Sequence, residues 1–133
     1  MKSNSRQMKQ CLQCLTILLC LAVPMASSAK NLHKEKWYAE QWCNAHGGRI
    51  EVVMPDKTRV DCLTSTHAIE FDFGKKWAEA IGQSLYYSLQ TNKKAGVVLI
   101  LEEEKDRKYW IRLNSTIEHF NLPIDSWIVN LGD

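Results

Sequence analysis

The chain has 133 residues, 45% of them apolar, with 17 Lys and Arg against 15 Asp and Glu. That length allows one small domain and excludes a multidomain protein. The basic surplus lies in the first 29 residues, where Lys2, Arg6 and Lys9 stand and no acid occurs before Glu35; beyond Ala29 the count is 14 basic against 15 acidic. Net charge therefore says nothing about partners, and any attraction to a polyanion has to come from local patches.

The first 29 residues carry the plan of a secretory signal peptide. A basic start leads into the apolar run Cys14–Val23 (CLTILLCLAV), followed by Pro24 and the small residues Ala26-Ser27-Ser28-Ala29, with cleavage expected after Ala29. About ten apolar residues are too few to span a bilayer as a helix. The competing reading is an uncleaved anchor. The residues preceding Cys20 are Ile17-Leu18-Leu19, which lack the small side chains of a lipidation signal. The expected location is periplasmic or secreted, with residues 30–133 forming a single α/β domain.

With the signal removed, only Cys43 and Cys62 remain of five cysteines. An even pair in an oxidising compartment favours a disulfide; the alternative is two separate buried thiols. Two cysteines without histidines at ligand spacing do not make a zinc site.

Residues 34–46 (KEKWYAEQWCNAH) read as a helix whose Trp37, Tyr38, Ala39, Trp42 and Cys43 recur at helical spacing, with Gly47-Gly48 as its stop. Residues 49–54 (RIEVVM) and 59–63 (RVDCL) flank the turn residues Pro55-Asp56-Lys57-Thr58 and predict a hairpin. Residues 68–73 alternate, placing Ile69, Phe71 and Phe73 on one face and Ala68, Glu70 and Asp72 on the other. After Gly74, a helix is expected from Lys75 to about Gln90, with Trp77, Ala78, Ala80, Ile81, Leu85, Tyr86 and Leu89 on its apolar side. Residues 95–101 (AGVVLIL) predict a strand buried on both faces, with Glu102-Glu103-Glu104 as its solvated exit. A weaker helix over 106–120 and a short strand over 126–131 complete the chain. The order α-β-β-β-α-β, then α and β, implies a mixed sheet with helices on both faces.

The candidate chemistry lies between Arg59 and Tyr87. Glu70 and Asp72, two apart on a strand, share a face, and Asp61 on the preceding strand can come alongside. Carboxylates gathered on a covered face repel one another unless a cation neutralises them, and Mg²⁺ prefers such oxygen ligands. The bland alternative is a sheet face open to water, where alternating acids are routine. Gln83 and Tyr87, one helical turn apart, share a face, either as a substrate-positioning pair or as a partly buried polar pair.

This arrangement of Asp61, then Ile69-Glu70-Phe71, then Gln83-Ser84-Leu85-Tyr86-Tyr87 resembles the PD-(D/E)xK nuclease superfamily, nearest its RecB-like and Cas4-like branches. The resemblance covers about Glu35 to Leu101. It implies a restriction-endonuclease-like core and hydrolysis of DNA or RNA with Mg²⁺ or Mn²⁺. Asp61, Glu70 and Asp72 would hold the metal, with Glu40 as the extra helical acid. Lys75 or Lys76 would orient the phosphate, and Gln83 and Tyr87 would position substrate or water. One departure is plain: where the family carries lysine, two residues after the Glu, this chain has Asp72. A non-catalytic exported binding protein on the same fold is the alternative. A disulfide-stapled inhibitor or toxin-like domain is disfavoured by the apolar content.

His67 reads as a solvated loop residue or a base. Lys93-Lys94 and the 105–108 basic cluster read as solvated surface beside three glutamates. The five tryptophans read as core. Asn114-Ser115-Thr116 matches a glycosylation acceptor by pattern alone.

Overall fold

A computed structural model describes residues 31–130. The expected signal peptide, its cleavage point and the last residue of the expected final strand lie outside the described residues. Three helices and five strands follow in the order α1 (Glu35–Ala45), β1 (Arg49–Val53), β2 (Arg59–Leu63), β3 (His67–Phe73), α2 (Trp77–Thr91), β4 (Lys94–Leu101), α3 (Arg107–Phe120) and β5 (Ile124–Asn130). Single 3₁₀ turns, Gly74–Lys76 and Glu104–Asp106, lead into α2 and α3. The fold is α/β, with one mixed sheet of five strands ordered β1-β2-β3-β4-β5.

The pairing follows the connections. Short turns join β1, β2 and β3, which pair antiparallel, whereas helical crossovers make β3–β4 and β4–β5 parallel. The interior strand β4 is buried from Ala95 to Leu101, as its unbroken apolar run requires. On one face, Ile69, Phe71 and Val98 pack with Ala39 and Cys43 of α1. On the other, Val97, Leu99 and Leu101 pack with Ala80 and Leu113 of α2 and α3. A third cluster sets Tyr87 of α2 against Val60, Leu63 and Ala68.

Cys43 and Cys62 form a disulfide with Cα atoms 5.8 Å apart, tying α1 to β2. The chain between them turns at Gly47, whose φ of 64° favours glycine. At Gly48 a side chain is excluded: a Cβ there would meet the two sulfur atoms at 2.5 and 2.6 Å. No helix among the described residues is long and apolar enough to cross a membrane.

Three expectations are corrected. The inward side of α2 is not its most apolar one: Ala80, Ser84 and Tyr87 are buried, while Leu89 is 78% and Tyr86 44% exposed. Trp42, Trp77, Trp110 and Trp127 are half-buried and pack against the core, as expected, but Trp37 does not. Trp37 is exposed, and it borders a shallow apolar groove with Trp42, His46 and Val129. The large buried aromatics are Tyr38, Phe71 and Tyr87 instead. Glu102 is not simply solvated, for its Oε1 accepts hydrogen bonds from the Leu32 N–H at 2.9 Å and the Tyr38 hydroxyl at 2.8 Å.

Candidate functional site

The β2–β3 ladder pairs Leu63 with Ala68 and Cys62 with Ile69, then stops. One step further along that register stand Asp61 and Glu70. Here the backbone of β2 no longer serves β3; the Phe71 N–H donates to Asp61 Oδ2 at 2.9 Å instead. On the opposite side of Asp61, Glu51 of β1 adopts a φ of 54°, an uncommon backbone state for a residue other than glycine. The sheet is thus distorted where the acids gather.

Both strand acids are covered. Glu70 is 5% and Asp72 1% exposed, which excludes the open, wet sheet face. Their carboxyls line a cleft of about 580 Å³ with Asp61, Glu35, Lys76, Gln83 and Tyr87, and the β1–β2 hairpin supplies Val53, Lys57, Thr58 and Arg59. Six of the eight residues expected at the site therefore share one cleft. Lys75 and Glu40 do not line it: Lys75 is exposed, and Glu40 forms a surface pair with Lys36 at 3.9 Å. The acid that α1 contributes is Glu35, in its first turn.

Crowding of four carboxyls away from water raises their affinity for protons. Glu70 is pushed up to about 10, by burial first and then by the charges of Asp61 and Asp72. Glu35 is raised to about 7 by burial and by Asp72 and Asp61. Asp72 reaches about 6 through burial, although the Lys76 ammonium 3.5 Å away opposes the rise. Asp61 is raised by burial against the Phe71 hydrogen bond. The acids influence one another in pairs: Asp61 adds to the rise of Glu70, and Asp72 to that of Glu35. The buried Tyr87 phenol is also raised, by burial and the neighbouring Glu70.

Among the described residues no group of three His, Cys, Asp or Glu side chains is disposed to hold a metal ion. The donor set nevertheless fits a hard cation, being made of oxygen alone. Glu70 Oε2 and Gln83 Oε1 are buried acceptors without a hydrogen-bond partner. Two orphaned oxygens in one acidic cleft are what a cation or its water would satisfy.

Other candidates stand elsewhere. His67 begins β3, where Nε2 meets Asp125 at 2.8 Å and Nδ1 meets the Thr66 hydroxyl at 2.8 Å. Lys93 donates to the Ser65 carbonyl, and Lys105 pairs with Glu103. The Asn114 side chain is bonded to the Trp110 carbonyl and the Ser126 hydroxyl. No family model, curated protein or solved structure matches the chain.

Proposed function

We propose that the protein is an exported metal-dependent phosphodiesterase of restriction-endonuclease-like architecture, acting on DNA or RNA. The observation that carries this reading is the gathering of Asp61, Glu70 and Asp72 in one cleft with Lys76 and Gln83, where Glu70 Oε2 is buried and unpartnered. The strand order, with an antiparallel hairpin feeding a helical crossover, agrees with that architecture. The disulfide agrees with export into an oxidising compartment.

Asp61, Glu70 and Asp72 would hold Mg²⁺ or Mn²⁺. The ion, when bound, polarises a phosphate and generates a nucleophile from water. The chain's own part is to orient and to hold protons. Lys76 fixes Asp72 from the start of α2, and its ammonium is stabilised chiefly by that carboxylate. Gln83 presents an unsatisfied carbonyl oxygen able to accept from a water molecule. Glu35 holds a proton near neutrality against Asp72 and can pass it to solvent.

A second reading, a cation-dependent binding protein without catalysis, is favoured by Asp72 at the position of the family's lysine. Cleavage separates the two. Purified protein should cut a labelled oligonucleotide or plasmid in Mg²⁺ or Mn²⁺, and Glu70→Ala should abolish cutting. Cutting that persists in Glu70→Ala rejects this cleft as the active site; cation binding without cutting favours the binding protein.

A further inference from the structure

We infer that Lys57, on the β1–β2 hairpin, is the side chain that receives the substrate phosphate at this cleft. The inference rests on the phosphodiesterase reading and adds a residue to it that no strand or helix motif marks.

Three cationic side chains line the cleft, Lys57, Arg59 and Lys76. Two are already engaged: Arg59 pairs with Glu51 at 3.0 Å, and Lys76 with Asp72 at 3.5 Å. Lys57 has no ion-pair partner among the described residues and is exposed at the cleft wall. A phosphodiester approaching four acidic groups needs an uncommitted cation, and Lys57 supplies one.

The loop that carries Lys57 is built to hold it still. Lys57 N–H donates to the Met54 carbonyl at 2.9 Å and Met54 N–H to the Thr58 carbonyl at 2.8 Å, closing a three-residue turn. The last residue of such a turn takes the left-handed conformation and is ordinarily glycine. Lys57 occupies it with a φ of 71°, a strained choice that a solvated turn lysine has no reason to make. Asp56 anchors the same turn to α2. Its Oδ1 accepts from the Thr58 N–H and hydroxyl, and its Oδ2 from the Tyr86 hydroxyl and the Gln90 side-chain amide. An anchored turn thus presents one free ammonium at the wall of the acidic cleft. Lysine acts toward phosphate as a point charge with three donors.

The test uses Lys57→Asn, which tolerates the left-handed backbone but drops the charge, and Lys57→Arg, which keeps it. Cleavage of a labelled single-stranded oligonucleotide is measured in Mg²⁺ or Mn²⁺, and its binding is measured in Ca²⁺ across a KCl series. Lys57→Asn should raise KM about tenfold, the loss of one charge-assisted contact, with kcat nearly unchanged. Its salt slope should shrink by about 0.7, one phosphate contact on a single strand. Lys57→Arg should restore both, and both variants should melt no lower than the wild type. Unchanged KM and slope in Lys57→Asn, with cleavage still abolished by Glu70→Ala, overturn the inference and leave the phosphodiesterase standing. A wild type that neither cuts nor binds the oligonucleotide overturns both. Binding without cutting, with a slope that depends on Lys57, keeps the phosphate contact and removes the catalysis.

Discussion

Asp61 and Glu70 meet where the β2–β3 ladder opens, and the charge of Asp61 helps raise the proton affinity of the buried Glu70. The same Asp61 holds the strand edge by accepting from the Phe71 amide. One acid therefore serves two roles, closing a gap in the sheet and raising the proton affinity of its neighbour. The two roles separate by mutation. Asp61→Asn should keep the strand contact through its side-chain carbonyl and lose cation affinity, while Asp61→Ala should lose both. Thermal melting with and without Mn²⁺ distinguishes them; equal melting temperatures for the two variants without Mn²⁺ would count against the strand-holding role.

The stability of the cation-free protein should depend on pH in an unusual direction. Glu70, Glu35 and Asp72 are raised to about 10, 7 and 6 from ordinary carboxyl values. The folded state then binds more protons than the unfolded state, so their stabilising contribution is full at acid pH and is lost as pH rises through those values. Asp56, held down to about 2 by its hydrogen bonds with Thr58, Tyr86 and Gln90, works in reverse and is lost toward strong acid. Urea midpoints in EDTA should peak at about pH 4 to 5 and fall through neutrality. Mn²⁺ should recover more stability at pH 7.5 than at pH 5. A midpoint that climbs from pH 5 to 8 in EDTA contradicts the crowding of these acids.

Lys76 and Lys75 are neighbours in sequence and opposites in placement. Lys76 reaches Asp72, whereas Lys75 is exposed and does not line the cleft. Lys76→Ala should lower cleavage at least tenfold and raise the affinity of Asp72 for protons, shifting the acid limb of the pH–rate profile upward. Lys75→Ala should leave both within twofold. Equal losses from the two variants would remove the distinction.

The disulfide spans a sequence separation of 19 residues, so Cys43→Ser with Cys62→Ser should cost about 3 kcal/mol in urea unfolding. Gly48→Ala should cost about 1 to 3 kcal/mol while the bridge is intact, by overpacking against both sulfur atoms. In the double-serine background the Gly48→Ala penalty should shrink. An undiminished penalty would place its cause in the backbone rather than in the bridge.

Much of this architecture is legible in the chain because its periodicities are strong. The alternation of residues 68–73 sets which face bears Glu70 and Asp72, and the apolar run of β4 marks a strand covered on both faces. What misleads is α2, where apolar count and burial part company. The face that closes the cleft carries Gln83 and Tyr87, and Ser84 beside them is buried, so the helix turns a partly polar side inward and leaves Leu89 in water. Glu40 and Glu35 illustrate a second limit. Both are acids on α1, five residues apart and so on different sides of the helix. Only the docking of α1 on the sheet decides that Glu35 reaches Asp72. The tryptophans show a third, since large aromatics at helical spacing fix a face but not the depth at which it is buried.

Calorimetric titration of Mn²⁺ at neutral pH, repeated in buffers of different ionisation enthalpy, tests the central claim most directly. A cation entering this cleft must displace protons held by Glu70 and Glu35, whose pKa values are raised to about 10 and 7. The account predicts saturable binding with measurable proton release, both lost in Glu70→Gln. Absence of binding heat and of a thermal shift in the wild type, or binding that Glu70→Gln leaves intact, would contradict it.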